Sequence, residues 1–338
     1  MQDWTGSSTG PVLVVKRYTM NQQIASIVAE VTKAIKGKDD VVRKVTMAVL
    51  AQGNVLLEDV PGVGKTTMAL AFAKAMGLAT RRVQFTPDTM PSDIIGFSVY
   101  DSATGNFVYR EGAIMTNLFL ADEINRTSSK TQAALLEAME EKRVTVDGTT
   151  YTLPDPFIVL ATENPVGAAG TQMLPNSQLD RFMVRLSIGY PDYDAHMEIL
   201  ESHQASNPMD SVAEAVSLDE LRSLVDQVGK VEVSRGVNDY IVRLVQSTHA
   251  HQMVSLGINP RGALALARMA KACAFAEGRD YVVPSDVRCV ISDVFSHRLL
   301  LNSKAKLNDL EASDVVAQIV EDVAMPLDVD VHGMQAAQ

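Results

Sequence analysis

Residues 55–68 read Val-Leu-Leu-Glu-Asp-Val-Pro-Gly-Val-Gly-Lys-Thr-Thr-Met. Val55, Leu56 and Leu57 fit a short buried strand, and a Pro/Gly turn follows. From Thr66 the apolar residues Met68, Leu70, Ala71 and Phe72 recur as they do on a helix. Strand, glycine turn and helix in this order build a phosphate-binding loop. Glycines at 62 and 64 let the backbone approach a polyphosphate closely, and the helix N-terminus turns its N–H groups toward the negative charge. Lys65 then reaches the β- and γ-phosphates, and the Thr66 hydroxyl ligates Mg²⁺. The strict pattern G-x-x-x-x-G-K-[ST] asks for glycine at 59, where this chain has Asp59. The expected nucleotide contacts are Asp59, Pro61, Gly62, Val63, Gly64, Lys65, Thr66 and Thr67.

A second signal lies downstream. Leu118-Phe119-Leu120-Ala121-Asp122-Glu123 is an apolar strand ending in two acids. At the C-terminal end of a parallel strand beside the loop, Asp122 can hold the Mg²⁺ shell and Glu123 can polarise the attacking water. Two acids that only cap the helix starting near Thr127 would explain the strand end but not its pairing with Gly-Lys-Thr. A third strand, Phe157 to Thr162, ends at Glu163-Asn164-Pro165. Asn164 is either a turn residue before proline or a polar amide beside the γ-phosphate, and the residues alone leave both open.

Around these strands the chain alternates. Residues 1–20, with Gly6-Ser7-Ser8-Thr9-Gly10-Pro11, read as a flexible leader. Helices are expected over Asn21 to Ala34 and Asp40 to Leu50, with a strand at Arg82 to Phe85. Hairpins are expected at Phe97 to Val108 and, around Asp147-Gly148, at Arg143 to Thr152. A further strand, Val184 to Ile188, closes at Gly189-Tyr190-Pro191. Strands alternating with helices imply a parallel sheet covered on both faces. Helical periodicity then takes over, at Asp194 to His203, Leu218 to Val228, Ser234 to Ser247, Arg261 to Glu277 and Pro284 to Leu300. The expected organisation is an α/β nucleotide-binding domain over 21–190, an all-helical domain over 191–328 and a tail over 329–338.

With 46% hydrophobic and 21% charged residues, the 338-residue chain is an ordinary globular protein. Its net charge of −11 argues against a general DNA-binding surface. Cys273 and Cys289 cannot make a disulfide framework and are expected as buried free thiols. His249 and His251, two apart on a helix, face different ways and lack metal geometry. Met68, Met76, Met139 and Met269 fall on core-facing helix positions. No basic stretch followed by an apolar one opens the chain, and no run of about 18 apolar residues occurs, so a cytoplasmic location is expected.

Together these residues resemble the AAA+ ATPases and, within them, the MoxR family. The matching stretches are Leu57 to Thr66, Asp122-Glu123-Ile124-Asn125-Arg126, Lys130 to Met139, Ala161-Thr162-Glu163-Asn164-Pro165, Gln178-Leu179-Asp180-Arg181-Phe182 and Asn259-Pro260-Arg261. The resemblance implies an α/β P-loop core, a five-stranded parallel sheet with flanking helices and two β-hairpin inserts, followed by an all-α lid. It implies ATP with Mg²⁺ and a homo-oligomeric ring, usually a hexamer. In it Asn164 resembles sensor 1, Arg181 the arginine finger given to a neighbouring subunit, and Arg261 sensor 2, acting on its own nucleotide or a neighbour's. With Glu123 these form the expected catalytic set. Arg126 is read either as bridging subunits or as pairing locally. The two hairpins resemble the helix 2 and pre-sensor 1 inserts, which typically face the ring pore.

Similar proteins are regarded as chaperones that mature enzyme complexes together with a partner containing a von Willebrand factor A domain. The expected function is therefore ATP-driven remodelling of a protein client. A nucleic-acid motor of the helicase type and the ATPase subunit of a metal chelatase are the rival readings. Against the motor, the hairpin tips Asp101 to Asn106 and Asp147-Gly148 carry no Lys or Arg, whereas a strand-tracking pore needs positive charge.

Overall fold

The computed structural model describes residues 20–60, 62–164, 174–205 and 207–326. Pro61, the leader up to residue 19 and the tail over 329–338 lie outside the described residues. Helix α1 (Gln22–Ala34) is capped by Asn21, whose Oδ1 accepts from the Gln23 N–H at 3.0 Å. Its buried residues Ile24, Ile27 and Val31 are three of the positions that the periodicity marks. Helix α2 (Asp39–Leu50) leads into strand β1 (Val55–Glu58), and α3 (Lys65–Ala75) follows the loop. Next come β2 (Thr80–Gln84), α4 (Pro91–Ile95) and the hairpin β3 (Gly96–Asp101)–β4 (Asn106–Glu111). Strand β5 (Leu118–Asp122), a 3₁₀ turn (Ile124–Arg126) and α5 (Ser129–Glu141) precede the hairpin β6 (Arg143–Val146)–β7 (Thr149–Thr152). Strand β8 (Ile158–Glu163), α6 (Asn176–Leu179) and β9 (Val184–Leu186) complete this part.

The five long-range strands form one parallel sheet in the order β2-β5-β8-β1-β9. Side chains alternate between its faces, so each strand feeds two cores. Val55 and Leu57 enter one core and Leu56 the other; Leu118 and Leu120 oppose Phe119 and Ala121 in the same way. The edge strand β2 is mostly exposed, which fits its Thr-Arg-Arg-Val-Gln composition. Because the strands run parallel, the loop after β1 and the ends of β5 and β8 meet at one edge, where ligands of open α/β sheets bind.

The larger core continues without interruption into the helices that follow. These are α7 (Tyr193–Ala205), α8 (Pro208–Ser211), α9 (Leu218–Lys230), α10 (Arg235–Ala250), α11 (Pro260–Ala276), α12 (Pro284–Phe295), α13 (Ser303–Leu307) and α14 (Ala312–Asp322). The expectation of helices alone needs refinement: Val254–Leu256 (β10) and Leu300–Leu301 (β11) pair as an antiparallel ribbon. Helix α12 accordingly stops at Phe295 rather than running to Leu300.

Both inserted hairpins are present, and Tyr109 of one stacks on Tyr151 of the other at 3.9 Å and 16°. Phe107, 74% exposed, meets Tyr100 edge-on at the far end of the first hairpin. Cys273 is buried, whereas Cys289 on α12, expected to be buried too, is exposed. The histidines are bonded locally: His249 Nε2 lies 2.9 Å from the Ile258 carbonyl, and His251 Nδ1 accepts from the Met253 N–H. The four methionines expected in the core are all buried.

Candidate nucleotide site

Two glycines shape the loop. Gly62 and Gly64 have φ of 88° and 96°, and a Cβ at Gly62 would meet nothing within 4 Å. Backbone conformation rather than crowding therefore demands glycine there. Lys65 is the first residue of α3. Its Nζ donates to the Asp59 carbonyl at 2.5 Å and to the Glu163 carbonyl and Asn164 Oδ1, both at 3.0 Å. Burial lowers the pKa of Lys65 against the pull of Asp59, Asp122 and Glu123.

Asp59 has a different task from the nucleotide contact expected of it. Its carboxylate turns to the end of β9, accepting from Ser187 Oγ at 2.9 Å and the Gly189 N–H at 2.5 Å. Burial opposes its ionisation, but these bonds and one from the Val60 N–H outweigh that and hold its pKa low. Asp59 thus anchors the loop to the sheet, and what faces Lys65 is its carbonyl.

The two acids that end the Leu118–Glu123 stretch, Asp122 and Glu123, are held on all four oxygens. Asp122 Oδ1 accepts from Thr162 Oγ1 at 2.6 Å; Oδ2 accepts from Thr66 Oγ1 at 3.1 Å and from Arg82 Nη2 at 2.7 Å. Burial raises the pKa of Asp122, and the bonds from Thr162, Arg82 and Thr66 more than reverse that. Glu123 sits at φ 57°, a left-handed conformation uncommon for glutamate and typical of functional sites. Its Oε1 accepts from Asn164 Nδ2 at 2.9 Å, and its Oε2 pairs with Arg126 Nε at 3.0 Å. Arg126 therefore makes the local pair. Asn164, 1% exposed, is no simple turn residue: its amide bridges Lys65 to Glu123.

Lys65, Thr66, Arg82, Asp122, Glu123 and Asn164 line a cavity of about 330 Å³, together with Gly62, Gly64, Thr67 and Gln84. A neighbouring cavity of about 550 Å³ shares Gly62, Gly64 and Thr67 with it, so the two flank the loop. Val63, Ile35, Tyr190, Pro191, Ile199 and Met209 give this second cavity an apolar lining suited to a base and sugar.

Arg181 and Arg261 stand elsewhere. Both turn to Glu140 on α5: Arg181 Nε lies 3.0 Å from Glu140 Oε2, and Arg261 Nη2 bonds to Oε1. The partner of Arg181 is thus Glu140, not the adjacent Asp180, which instead takes Arg261 Nη1 at 3.4 Å. Neither arginine lines the chain's own phosphate cavity; they line another, of about 420 Å³, with Glu140 and Asp180.

For a metal, Thr66 Oγ1 and Asp122 Oδ2 are adjacent hard oxygens, a donor set that fits Mg²⁺ with phosphate and water completing the shell. Among the described residues no group of three or more His, Cys, Asp or Glu is placed to hold a metal by itself. No helix among them is long and apolar enough to cross a membrane.

Fold and cavity together define a P-loop nucleotide-binding protein with a helical lid. Residues 54–184 match the model of the ATPase family associated with various cellular activities (AAA), and residues 246–319 match the AAA lid domain. Chaperone MoxR1 of Mycobacterium tuberculosis is 37% identical over 88% of this chain and 81% of its own length. An uncharacterised Bacillus subtilis protein, YeaC, is 44% identical over 90% of this chain and 95% of its own. The crystal structure of a candidate ATPase from Cytophaga hutchinsonii superposes with a TM-score of 0.83 at 36% identity, covering 90% of this chain and 95% of that one. The chain belongs to the MoxR family of AAA+ ATPases.

Proposed function

We propose that this protein hydrolyses ATP with Mg²⁺ as a ring of identical subunits, each active site being shared between two copies, and that the cycle remodels protein complexes. The observation that carries the reading is the continuous set of bonds Lys65–Asn164–Glu123 beside Thr66–Asp122. The triphosphate lies over the loop, where Gly62 to Thr67 supply N–H groups and Lys65 its charge. Thr66 and Asp122 would hold Mg²⁺, which would neutralise phosphate charge when bound. Asn164 aims the Glu123 carboxylate at the water opposite the γ-phosphate, and Glu123 accepts the proton as the water attacks.

The arginines complete the chemistry from outside. Arg181, Arg261 and Arg298 meet two carboxylates, Glu140 and Asp180, so their cluster keeps one unbalanced positive charge, and it lines a different cavity from the phosphate-loop residues. That arrangement supports both acting on the neighbouring copy's phosphates, Arg181 as the finger and Arg261 beside it. Charge developing in the transition state is then stabilised by a group absent from the ground state of a lone subunit.

For the client, the name Chaperone MoxR1 on a relative supports a protein-remodelling role; a cytoplasmic location and a von Willebrand factor A domain partner remain part of the proposal through the family resemblance alone. The exposed Tyr100 and Phe107 suit an apolar protein segment better than a nucleic-acid backbone, for the tip between them carries no cation. Glu123→Gln, loaded with ATP and mixed with lysate of the source cells, tests this. Retention of a defined protein complex, unaffected by nuclease, is the expected result. Retention of nucleic acid, or ATP hydrolysis by the unmutated protein that rises on adding DNA, would overturn the remodelling role.

A further inference from the structure

Between α6 and β9 the backbone that carries Arg181 turns its carbonyls to a single guanidinium. Arg298, 6% exposed and just beyond α12, donates from Nη2 to the Asp180 carbonyl at 3.1 Å and to the Phe182 carbonyl. From Nη1 it donates to the Met183 carbonyl at 3.1 Å and to the Val294 carbonyl of its own helix. Its Nε donates to Asp180 Oδ1 at 2.9 Å. His297 adds a bond from Nε2 to the Phe182 carbonyl at 3.1 Å. The other oxygen of Asp180 accepts from Asn259 Nδ2 at 2.8 Å, and Asn259 Oδ1 in turn caps α11 through the Gly262 N–H. The residues on both sides of Arg181 are thereby bonded to the end of α12 and, through Asp180, to the start of α11.

A buried arginine is a costly way to fill a core. Burial lowers the pKa of Arg298 to about 10, with Asp180 acting against that shift. What a guanidinium offers in exchange is a planar fork whose donors fix several acceptors at once, which an ammonium does not do. Here the acceptors are the flanks of the finger, and the fork belongs to the lid. We propose that Arg298 and Asp180 are a positioning pair that ties the Arg181 finger to the lid of its own subunit, so that lid movement in one copy is delivered as finger placement at the next copy's nucleotide. The proposal rests on Arg181 acting in trans. Arg298 touches no nucleotide in it; the residue acts only through the backbone around Arg181.

The test uses Arg298→Lys, Arg298→Met and Asp180→Asn in the full-length protein. ATP affinity is measured by a fluorescent analogue, and turnover by phosphate release. The expected pattern is nucleotide affinity within about twofold of the unmutated protein and kcat lower by about tenfold to a hundredfold, the scale on which a small misplacement of a reacting group acts. Mixing each variant with Glu123→Gln subunits then restores turnover, because the Glu123→Gln copies bring well-placed fingers to phosphate cavities that the variants leave intact. A merely structural lesion would lower the melting temperature and affinity and would not be repaired by mixing. If Arg298→Met does not fold, Arg298→Lys keeps the charge and Asp180→Asn keeps the shape, and either carries the test. Unchanged kcat in the variants would overturn the proposal. So would lost kcat that mixing fails to restore while Arg181→Ala mixed with Glu123→Gln is restored. Failure of the Arg181→Ala mixture itself removes the trans finger instead.

Discussion

The phosphate cavity and the Glu140 cluster handle charge in opposite ways. In the cavity each acid is matched: Asp122 by Arg82, Thr66 and Thr162, and Glu123 by Arg126 and Asn164. In the cluster three guanidinium groups, of Arg181, Arg261 and Arg298, meet the two carboxylates of Glu140 and Asp180, and one positive charge is left over. The first region holds groups suited to metal, water and phosphate; the second holds more guanidinium groups than carboxylates. On the proposed reading, the difference means that one chain carries two complementary halves of an active site, in two different cavities. Partly exposed arginine–carboxylate pairs contribute little to stability, so the proposed role at a neighbour's phosphates, rather than folding, is what the predictions below test.

That contrast can be broken most severely at Arg181. Arg181→Ala is expected to lower turnover by about a thousandfold or more while leaving ATP affinity nearly unchanged, as measured by phosphate release and equilibrium binding. An unchanged rate would return the cluster to a surface ion pair. Within the cavity, Glu123→Gln should lower turnover by about a hundredfold to ten-thousandfold and retain ATP. Loss of ATP binding instead would mean that Glu123 shapes the cavity rather than acting on water.

A third prediction concerns a poorly matched acid outside the cavity lining, Glu163 at the end of β8. Burial, reinforced by Glu58, raises the pKa of Glu163 from 4.5 to about 7 against Arg185 and Lys65, and its Oε2 has no hydrogen-bond partner. A carboxyl raised in the folded state is stabilising while protonated, so its contribution is fully present below pH 4.5 and is lost as pH rises through 7. Glu163→Gln should therefore flatten that part of the urea-unfolding profile and raise stability above pH 7 by roughly 3 kcal/mol. An unaltered profile would refute it. The smallest effect concerns Arg82, which bonds the same Asp122 oxygen as Thr66. Arg82→Ala should lower the Mg²⁺ concentration for half-maximal nucleotide binding by up to about fivefold, since a partly exposed ion pair is worth about 1 kcal/mol or less. A raised requirement would make Arg82 a phosphate ligand rather than a rival of the metal.

Much of this was legible in the chain. Gly-Lys-Thr and Asp122-Glu123 announce the loop and the strand end because each motif is local, and Asp147-Gly148 announces its hairpin because both residues take positive φ, 49° and 80°. What was hidden is what distant segments make together. The base-side cavity joins Ile35, Tyr190 and Met209 from three separate stretches. Arg82 on an exposed edge strand is indistinguishable in sequence from a solubilising residue, and Asp59 gave no sign that its carboxylate bonds the end of β9. The ribbon of β10 and β11 is too short to show any period. Arg298 lay in a stretch whose periodicity reads simply as helix, whereas the helix ends at Phe295 and frees the next residues to hold the finger segment.

The most direct test of the shared site mixes Arg181→Ala with Glu123→Gln, two variants each expected to be inactive alone. If one copy's arginine serves the next copy's phosphates, random equimolar mixing should give roughly a quarter of the normal rate, since about one interface in four pairs an intact acid with an intact finger. A mixture as inactive as its components would contradict the account.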